Sequence, residues 1–327
     1  MARHAALTRR SLLAGFAAAG ASFVAAACAA VPSTPAPAAT AVAAPPAAPT
    51  AAPGTVAGAS RVFQVGVSPT EDADAILKRY NPLFEFLKAE MDTEVKGFVG
   101  TDYSSIIEAL KAQRIDAAFF GPFPYVLAAD VAGARVVVMR GNPDGSKATY
   151  RSLIIANRKA GIARLEDLKG KTFAFVDPAS ASGHLIPRAL LVKAGIDPDK
   201  DLKALFAGGH DAALLAIHSD KVDAGAVADS FPPRMAEAKQ VDPANLVTVA
   251  TSDPIPNGPV ATRAGLDPGV RDRFRDALLR AHTKLPAELV KAVLGGEKNR
   301  FVPAEDADFD PLRETARVLN LDLRKLE

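Results

Sequence analysis

From residue 61 onward, short apolar runs alternate with longer stretches in which apolar positions recur every three or four residues. The first pattern predicts buried strands and the second amphipathic helices. A strand is predicted over 62–67, a helix over 74–91 and a strand over 93–99. Ile76, Leu77, Leu83, Phe84 and Leu87 give the helix its apolar face, and Pro82 predicts a kink or a break in it. Asp102 predicts the cap of a helix over 103–113, followed by a strand over 115–120. A helix from Pro122 to near Gly133 and a strand over 135–139 complete the first set. The rhythm then repeats. A strand over 151–157 is expected to carry the chain into a second lobe, with a short helix and turn over 165–170. Strands follow over 172–176, 202–206, 222–227 and 246–250, and helices over 185–194, 211–219 and 231–239. Residues 255–262 are expected to return to the first lobe, before a helix over 267–285. The last forty residues read as helical and are expected to pack on the first lobe. This βαβ order predicts the α/β class, two doubly wound lobes with mostly parallel sheets and helices on both faces. The boundaries read as 61–152 for the first part of lobe one, 153–256 for lobe two and 257–327 for the return.

The first sixty residues follow neither pattern. Thr8-Arg9-Arg10-Ser11-Leu12-Leu13 resembles a twin-arginine export signal, and an Ala-rich apolar stretch runs from Leu12 to Ala27. That stretch is too short for a membrane span. Small residues directly before Cys28, the chain's one cysteine, resemble a bacterial lipoprotein cleavage site, although Ala25 stands where Leu is more usual. The signal is therefore expected over 1–28, with a lipid on Cys28 and an exported protein held at the membrane. A lone cysteine excludes an intrachain disulfide and a multi-cysteine metal site. Residues 29–60 carry no charge and seven of the 25 prolines, the composition of a semi-extended tether. Removal of Arg3, Arg9 and Arg10 leaves 36 basic residues against 37 acidic ones, so the formal +2 becomes −1. With no basic block, nucleic acid is not an expected partner.

The candidate chemistry starts at Asp177-Pro178-Ala179-Ser180-Ala181-Ser182-Gly183, between a predicted strand and a predicted helix. The local pattern fits a plain helix N-cap. It equally fits an oxyanion loop, because amides at a helix start are unpaired, the dipole there favours negative charge, and Ser180 and Ser182 add hydroxyl donors.

Other motifs accompany the loop. They are Asp102-Tyr103-Ser104-Ser105-Ile106-Ile107, Ile115-Asp116-Ala117-Ala118-Phe119-Phe120-Gly121-Pro122, Tyr150-Arg151-Ser152, Gly209-His210-Asp211-Ala212-Ala213 and Val222-Asp223-Ala224-Gly225. Their order and spacing resemble the phosphonate, phosphite and phosphate substrate-binding proteins of ABC importers. The resemblance implies a type II periplasmic-binding fold, with two lobes joined by two crossing strands and the ligand cleft between them. By family motif, the ligand-binding residues carry over to Tyr103, Tyr150, Ser180, Ala181, Ser182 and His210. Each has a plainer reading: Tyr103 and Tyr150 as packing, and His210 as a neighbour of a cap at Asp211. His184 stands between a further donor and a solvated side chain. Relatives carry Thr at the place of Ala181, so one hydroxyl is missing here. Relatives that bind aminoalkylphosphonates hold the amine with carboxylates where Ser230 and Gly258 stand, with Asp229 the one nearby acid. The implied ligand is a compact phosphorus oxyanion without an amine, namely phosphite, phosphate or a small alkylphosphonate. The implied partners are a membrane permease with its cytoplasmic ATPase; the protein is expected to be a monomer with no cofactor and no metal. A sensor feeding a two-component receptor is the alternative. An enzyme built on His210 is disfavoured, because no activated nucleophile, metal cluster or cofactor fingerprint is visible.

Overall fold

The computed structural model describes residues 62–321. The predicted signal, Cys28 and the tether lie outside the described residues.

The first lobe opens with β1 (Phe63–Val67), α1 (Ala73–Met91), β2 (Val95–Val99), α2 (Tyr103–Lys111), β3 (Ala117–Phe119), α3 (Pro122–Ala132) and β4 (Arg135–Gly141). The short strand β5 (Thr149–Tyr150) leads out to β6 (Ser152–Asn157), β7 (Thr172–Phe175), a π-helical turn (Ala181–Leu185), α4 (Ile186–Lys193), β8 (Lys203–Phe206), α5 (His210–His218), β9 (Ala224–Ala228), α6 (Phe231–Glu237) and β10 (Leu246–Thr251). The chain returns through β11 (Ile255–Pro256) and β12 (Pro259–Thr262), then α7 (Pro268–Lys284), α8 (Ala287–Leu294), β13 (Arg300–Pro303) and α9 (Asp310–Val318).

Among the described residues the strands form a six-stranded sheet, β13-β4-β12-β3-β1-β2, and a five-stranded sheet, β10-β6-β9-β7-β8. Between them β5 and β11 pair antiparallel, Tyr150 opposite Ile255, so the two connections cross side by side. The sheets are less parallel than the βαβ order predicts. β1 runs parallel to β2 and β3, and β7 to β8 and β9. Every pairing of β12, β13, β6 and β10 is antiparallel. The returning strand wedges between β3 and β4 and reverses the direction there.

Three further details alter or add to the expectations. Pro82 does not split α1, which stays one helix with Leu83, Phe84 and Leu87 buried beyond the proline. Their anchoring in the core outweighs one lost backbone hydrogen bond. Residues 255–262 form two strands, because the Asn257 amide donates to the carbonyl of Ala148 (3.0 Å) and Gly258 packs on the carbonyl of Phe120. The last segment is not all helix: β13 adds to the edge of β4. Nor does α9 rest on the first lobe alone, since it packs on α3 and also on the π turn of the second lobe.

One core lies between the six-stranded sheet and α1, α7 and α8, around Phe63, Phe84, Phe119 and Phe274. A second runs across the lobe boundary, joining Tyr103, Ile106 and Phe123 to Ala181, Leu185 and Val227. It holds the carboxyl ends of both sheets against each other.

Candidate functional site

At those carboxyl ends is an interlobe cavity of about 340 Å³. In open α/β sheets this is where connecting loops leave room for a ligand. Ser68 and Thr70 follow β1, Gly121 follows β3, Ser180 to Ser182 follow β7, and Asp229 follows β9; all line the cavity. Tyr103, Tyr150, Ala181 and His210 line it too, so the residues named from the motifs share one crevice. A larger hollow of about 710 Å³ sits at the opposite, amino ends of the lobe-one strands, beside Val62 and Arg263, and contains none of them.

The hydroxyl loop is built by its own hydrogen bonds. Asp177 Oδ1 accepts from the Ala179 amide (2.8 Å), and Ser180 Oγ accepts from the Gly183 amide (3.0 Å). Ser180 therefore caps the π turn, and its O–H is left to donate. Gly183 is required, because a Cβ there would lie 2.4 Å from Val176 Cβ. The Ser152 hydroxyl donates to the Ser182 carbonyl (2.6 Å) and ties the loop to β6. His184 is neither solvated nor in the cavity. Its ring stands edge-on to Phe175 and Phe206, and its Nδ1–H donates to the Pro178 carbonyl (2.8 Å). It supports the loop from beneath.

Tyr103 is the first residue of α2, positioned by a capping box in which Asp102 Oδ1 accepts from the Ser105 amide (2.7 Å). The residue is 2% exposed, and its hydroxyl has no hydrogen-bond partner. Ser180 is close by, and burial, then the charge of Asp177, raises the phenol well above its ordinary range. Tyr150 sits half-buried on the crossing strand β5 beside Ser182; desolvation raises its phenol as well. Both phenols stay protonated and act as neutral donors.

His210 begins α5, with Gly209 as its cap, so the imidazole belongs to the helix start itself. Burial, then the nearby Arg234, pushes its pKa down to about 3. The ring is neutral, and its tautomer is fixed: the Ala228 amide donates to Nδ1 (3.1 Å), so Nε2 carries the proton. Phe231 packs on the ring at 4.7 Å between centroids. The adjacent Asp211 does not pair with the imidazole and is not the helix cap. Its Oδ2 accepts from the Asp72 amide of lobe one (3.0 Å), and its Oδ1 from the Ala212 amide (2.8 Å).

Several cavity residues escape the sequence reading. Ser68 is 2% exposed and, like Tyr103, its hydroxyl has no partner. Its signal is the hydroxyl-bearing turn Ser68-Pro69-Thr70 after β1, the same kind of strand-to-helix turn as the anion loop. Charges are present too. Glu71 on lobe one accepts from Arg79 (2.5 Å) and from Arg234 of lobe two (2.8 Å), and the Arg234 guanidinium lies 4.3 Å over Phe231. Beside this ion pair, the His210 amide donates to the Thr70 carbonyl (2.9 Å), joining the Asp72–Asp211 bond as a further link between the lobes. Asp229 is held by the Arg151 amide (2.9 Å), and burial raises its carboxyl. Ser230 and Gly258 line the cavity as well. A Cβ at Gly258 would stand 2.3 Å from the Phe120 carbonyl oxygen, so no side chain fits there without moving the backbone.

The family described as ABC transporter, phosphonate, periplasmic substrate-binding protein matches residues 65–309. A phosphate-import protein, PhnD, of Mycolicibacterium smegmatis is 31% identical over 81% of this chain and 88% of its own length. The phosphonates-binding periplasmic protein of Escherichia coli is 27% identical over 78% of this chain and 76% of its own length. Among solved structures, PhnD1 of Prochlorococcus marinus in complex with methylphosphonate superposes with a TM-score of 0.72 at 23% identity, covering 79% of this chain and 98% of that one. With its interlobe cavity, its crossing strands and residues 65–309 matched, the chain belongs to the family of periplasmic substrate-binding proteins of phosphonate ABC transporters.

Proposed function

We propose that the protein captures a small phosphorus oxyanion (phosphite, phosphate or a small alkylphosphonate) between its lobes and delivers it to a membrane permease driven by a cytoplasmic ATPase. The observation that carries this reading is the pair of buried, unpartnered hydroxyls, Ser68 and Tyr103, lining the same cavity as the Nε2–H of His210. Buried polar groups are normally satisfied, so orphans facing a cavity mark where a ligand's acceptors belong. Ser180, Ser182 and Tyr150 add donors, and the starts of α2, the π turn and α5 add the favourable end of their dipoles.

Closure works by population shift. Lobe one supplies Ser68 and Tyr103; lobe two supplies Ser180, Ser182 and His210. An anion touching both sets binds the closed form better than the open one and draws the equilibrium to it. The bonds from His210 to Thr70 and from Arg234 to Glu71 then clasp the rim. The protein binds and releases its ligand without transforming it, and Asp211, turned towards lobe one, offers His210 no catalytic partner. A lipid on Cys28 and the tether over 29–60 would keep a monomeric capture domain near its permease. The closed-off position at Gly258 disfavours an aminated ligand, because no carboxylate fits there.

Titration calorimetry against phosphite, phosphate, methylphosphonate and 2-aminoethylphosphonate tests this. Binding of the first three, with the amine weakest, is expected. Binding of the amine alone would overturn the selectivity, and binding of none would overturn the oxyanion reading.

A further inference from the structure

The cavity does not stop at the hydroxyl loop. It continues along lobe one, over a floor in which Tyr80 meets Phe119 edge-on at 5.0 Å and Phe119 meets Phe301 at 6.2 Å. Arg140, at the end of β4, and Asn142 and Asn299 line this extension. A volume of about 340 Å³ is well beyond what an oxyanion of four or five heavy atoms fills.

The cations around the cavity are not equivalent. Arg79 and Arg234 both rest on Glu71. Arg140 is half-buried, and its Nη2 donates to the neutral hydroxyl of Tyr80 (3.2 Å); among the described residues no carboxylate pairs with it. Its charge acts on the Tyr150 hydroxyl, and both side chains line the same cavity. Another carboxylate of the cavity, Asp229, is engaged by the Arg151 amide. A guanidinium drawn partly out of water calls for an anionic partner, and its planar fork matches a carboxylate.

We propose that Arg140 recognises an acidic substituent on the bound phosphonate, so that the preferred ligand class is a phosphonate or phosphate ester carrying a second anionic group, such as a carboxylate. This rests on the oxyanion reading of the head site and adds a tail to it. The phosphorus group occupies the neutral donors of the hydroxyl loop, Tyr103 and His210. The substituent lies over Tyr80 and Phe119, and its carboxylate pairs with Arg140.

The test titrates the full chain with methylphosphonate, phosphonoformate, phosphonoacetate and 3-phosphonopropionate, the series being needed to find the tail length that reaches. At least one phosphonocarboxylate should bind about tenfold or more tighter than methylphosphonate, and its neutral carboxylic ester should lose that gain. Arg140→Gln should remove the gain, weakening the phosphonocarboxylate about tenfold more than it weakens methylphosphonate. The proposal is overturned if no phosphonocarboxylate exceeds methylphosphonate, or if Arg140→Gln weakens both ligands equally, which would make Arg140 a counter-ion of the head. Should Arg140→Gln fail to fold, the acid–ester comparison on the unmodified chain decides alone. Failure of methylphosphonate and phosphate to bind at all would instead sink the head-site reading, and the tail with it.

Discussion

Tyr103→Phe separates a ligand-contacting tyrosine from a packed one. The ring is buried among Ile106, Ile107 and Phe123, and Phe keeps its volume, so packing is preserved. Only the hydroxyl is lost. With the lobes in contact that hydroxyl has no protein partner, and a buried unsatisfied group costs about 1–3 kcal/mol. Its removal should leave the melting temperature of the free protein unchanged while the empty cleft stands open and the hydroxyl is hydrated, and raise it, by ~2–4 °C for each kcal/mol relieved in a chain of this size, only to the extent that the empty protein closes. Binding should move the other way. A hydrogen bond to a charged acceptor contributes about 1.5–3 kcal/mol, so methylphosphonate affinity should fall ~10–150-fold. Calorimetry gives the affinity and scanning fluorimetry the melting temperature. A variant that melts lower and binds within about twofold of the parent would refute the reasoning, because Tyr103 would then be a core residue whose hydroxyl serves folding.

The low pKa of His210 predicts a stability that declines in acid. Its folded-state pKa of about 3 lies below the ordinary 6.5, so between those values the unfolded chain takes up a proton that the folded ring refuses. Stability should fall as pH drops below ~6.5, with a slope of up to ~1.4 kcal/mol per pH unit from this group. Urea melts between about pH 5 and 8 check this against His210→Gln, whose profile should be flatter. A histidine-like inflection in methylphosphonate affinity near neutrality is not expected. Glu71→Ala should leave Arg79 and Arg234 facing each other from opposite lobes. The Glu71 side chain is only 10% exposed, so these partly buried pairs contribute more than the ~0.2–1 kcal/mol of exposed ones; affinity should fall about tenfold or more, and an unchanged dissociation rate would count against the clasp.

What the sequence made legible was local. The strand–turn–helix at 172–194, the Asp102 cap and the small residues of the hydroxyl loop are fixed by neighbours a few positions away. Their apolar periodicity and turn chemistry therefore read directly. β13 was hidden because its four residues pair with a strand some 160 positions earlier, and four residues show no reliable period. The direction of β12 was hidden for a like reason: alternation marks a strand but not its partner's polarity. Glu71, just before α1, Arg79, within α1, and Arg234, in the middle of α6, look like solvated charges until the two lobes come together. Ser68 was hidden differently. Its turn carries the same residue types as the hydroxyl loop, but only the fold brings β1 and β7 to the same crevice. Gly258 stands out in the sequence only by resemblance, as a place where amine-binding relatives carry a carboxylate; its steric meaning is visible only once the Phe120 carbonyl is seen at 2.3 Å from a hypothetical Cβ.

The two orphaned hydroxyls also bear on how closure reports occupancy. If the lobes close without ligand, Ser68 and Tyr103 are both desolvated and unpartnered, a cost of ~2–6 kcal/mol together. Against it stand the clasp bonds at Thr70, Glu71 and Asp72, each worth ~1 kcal/mol. Where the hydroxyl cost exceeds the clasp and the interlobe packing, the empty protein stands open, and an anion that satisfies both hydroxyls reverses the sign. Closure then marks a loaded protein, which is what a permease must distinguish. The double variant Ser68→Ala with Tyr103→Phe removes the cost and keeps the clasp, so it should populate the closed form without ligand. Small-angle scattering of the unliganded variant should show a radius of gyration close to that of the parent saturated with methylphosphonate. An unliganded variant as open as the unliganded parent would mean that something other than these hydroxyls keeps the empty cleft apart.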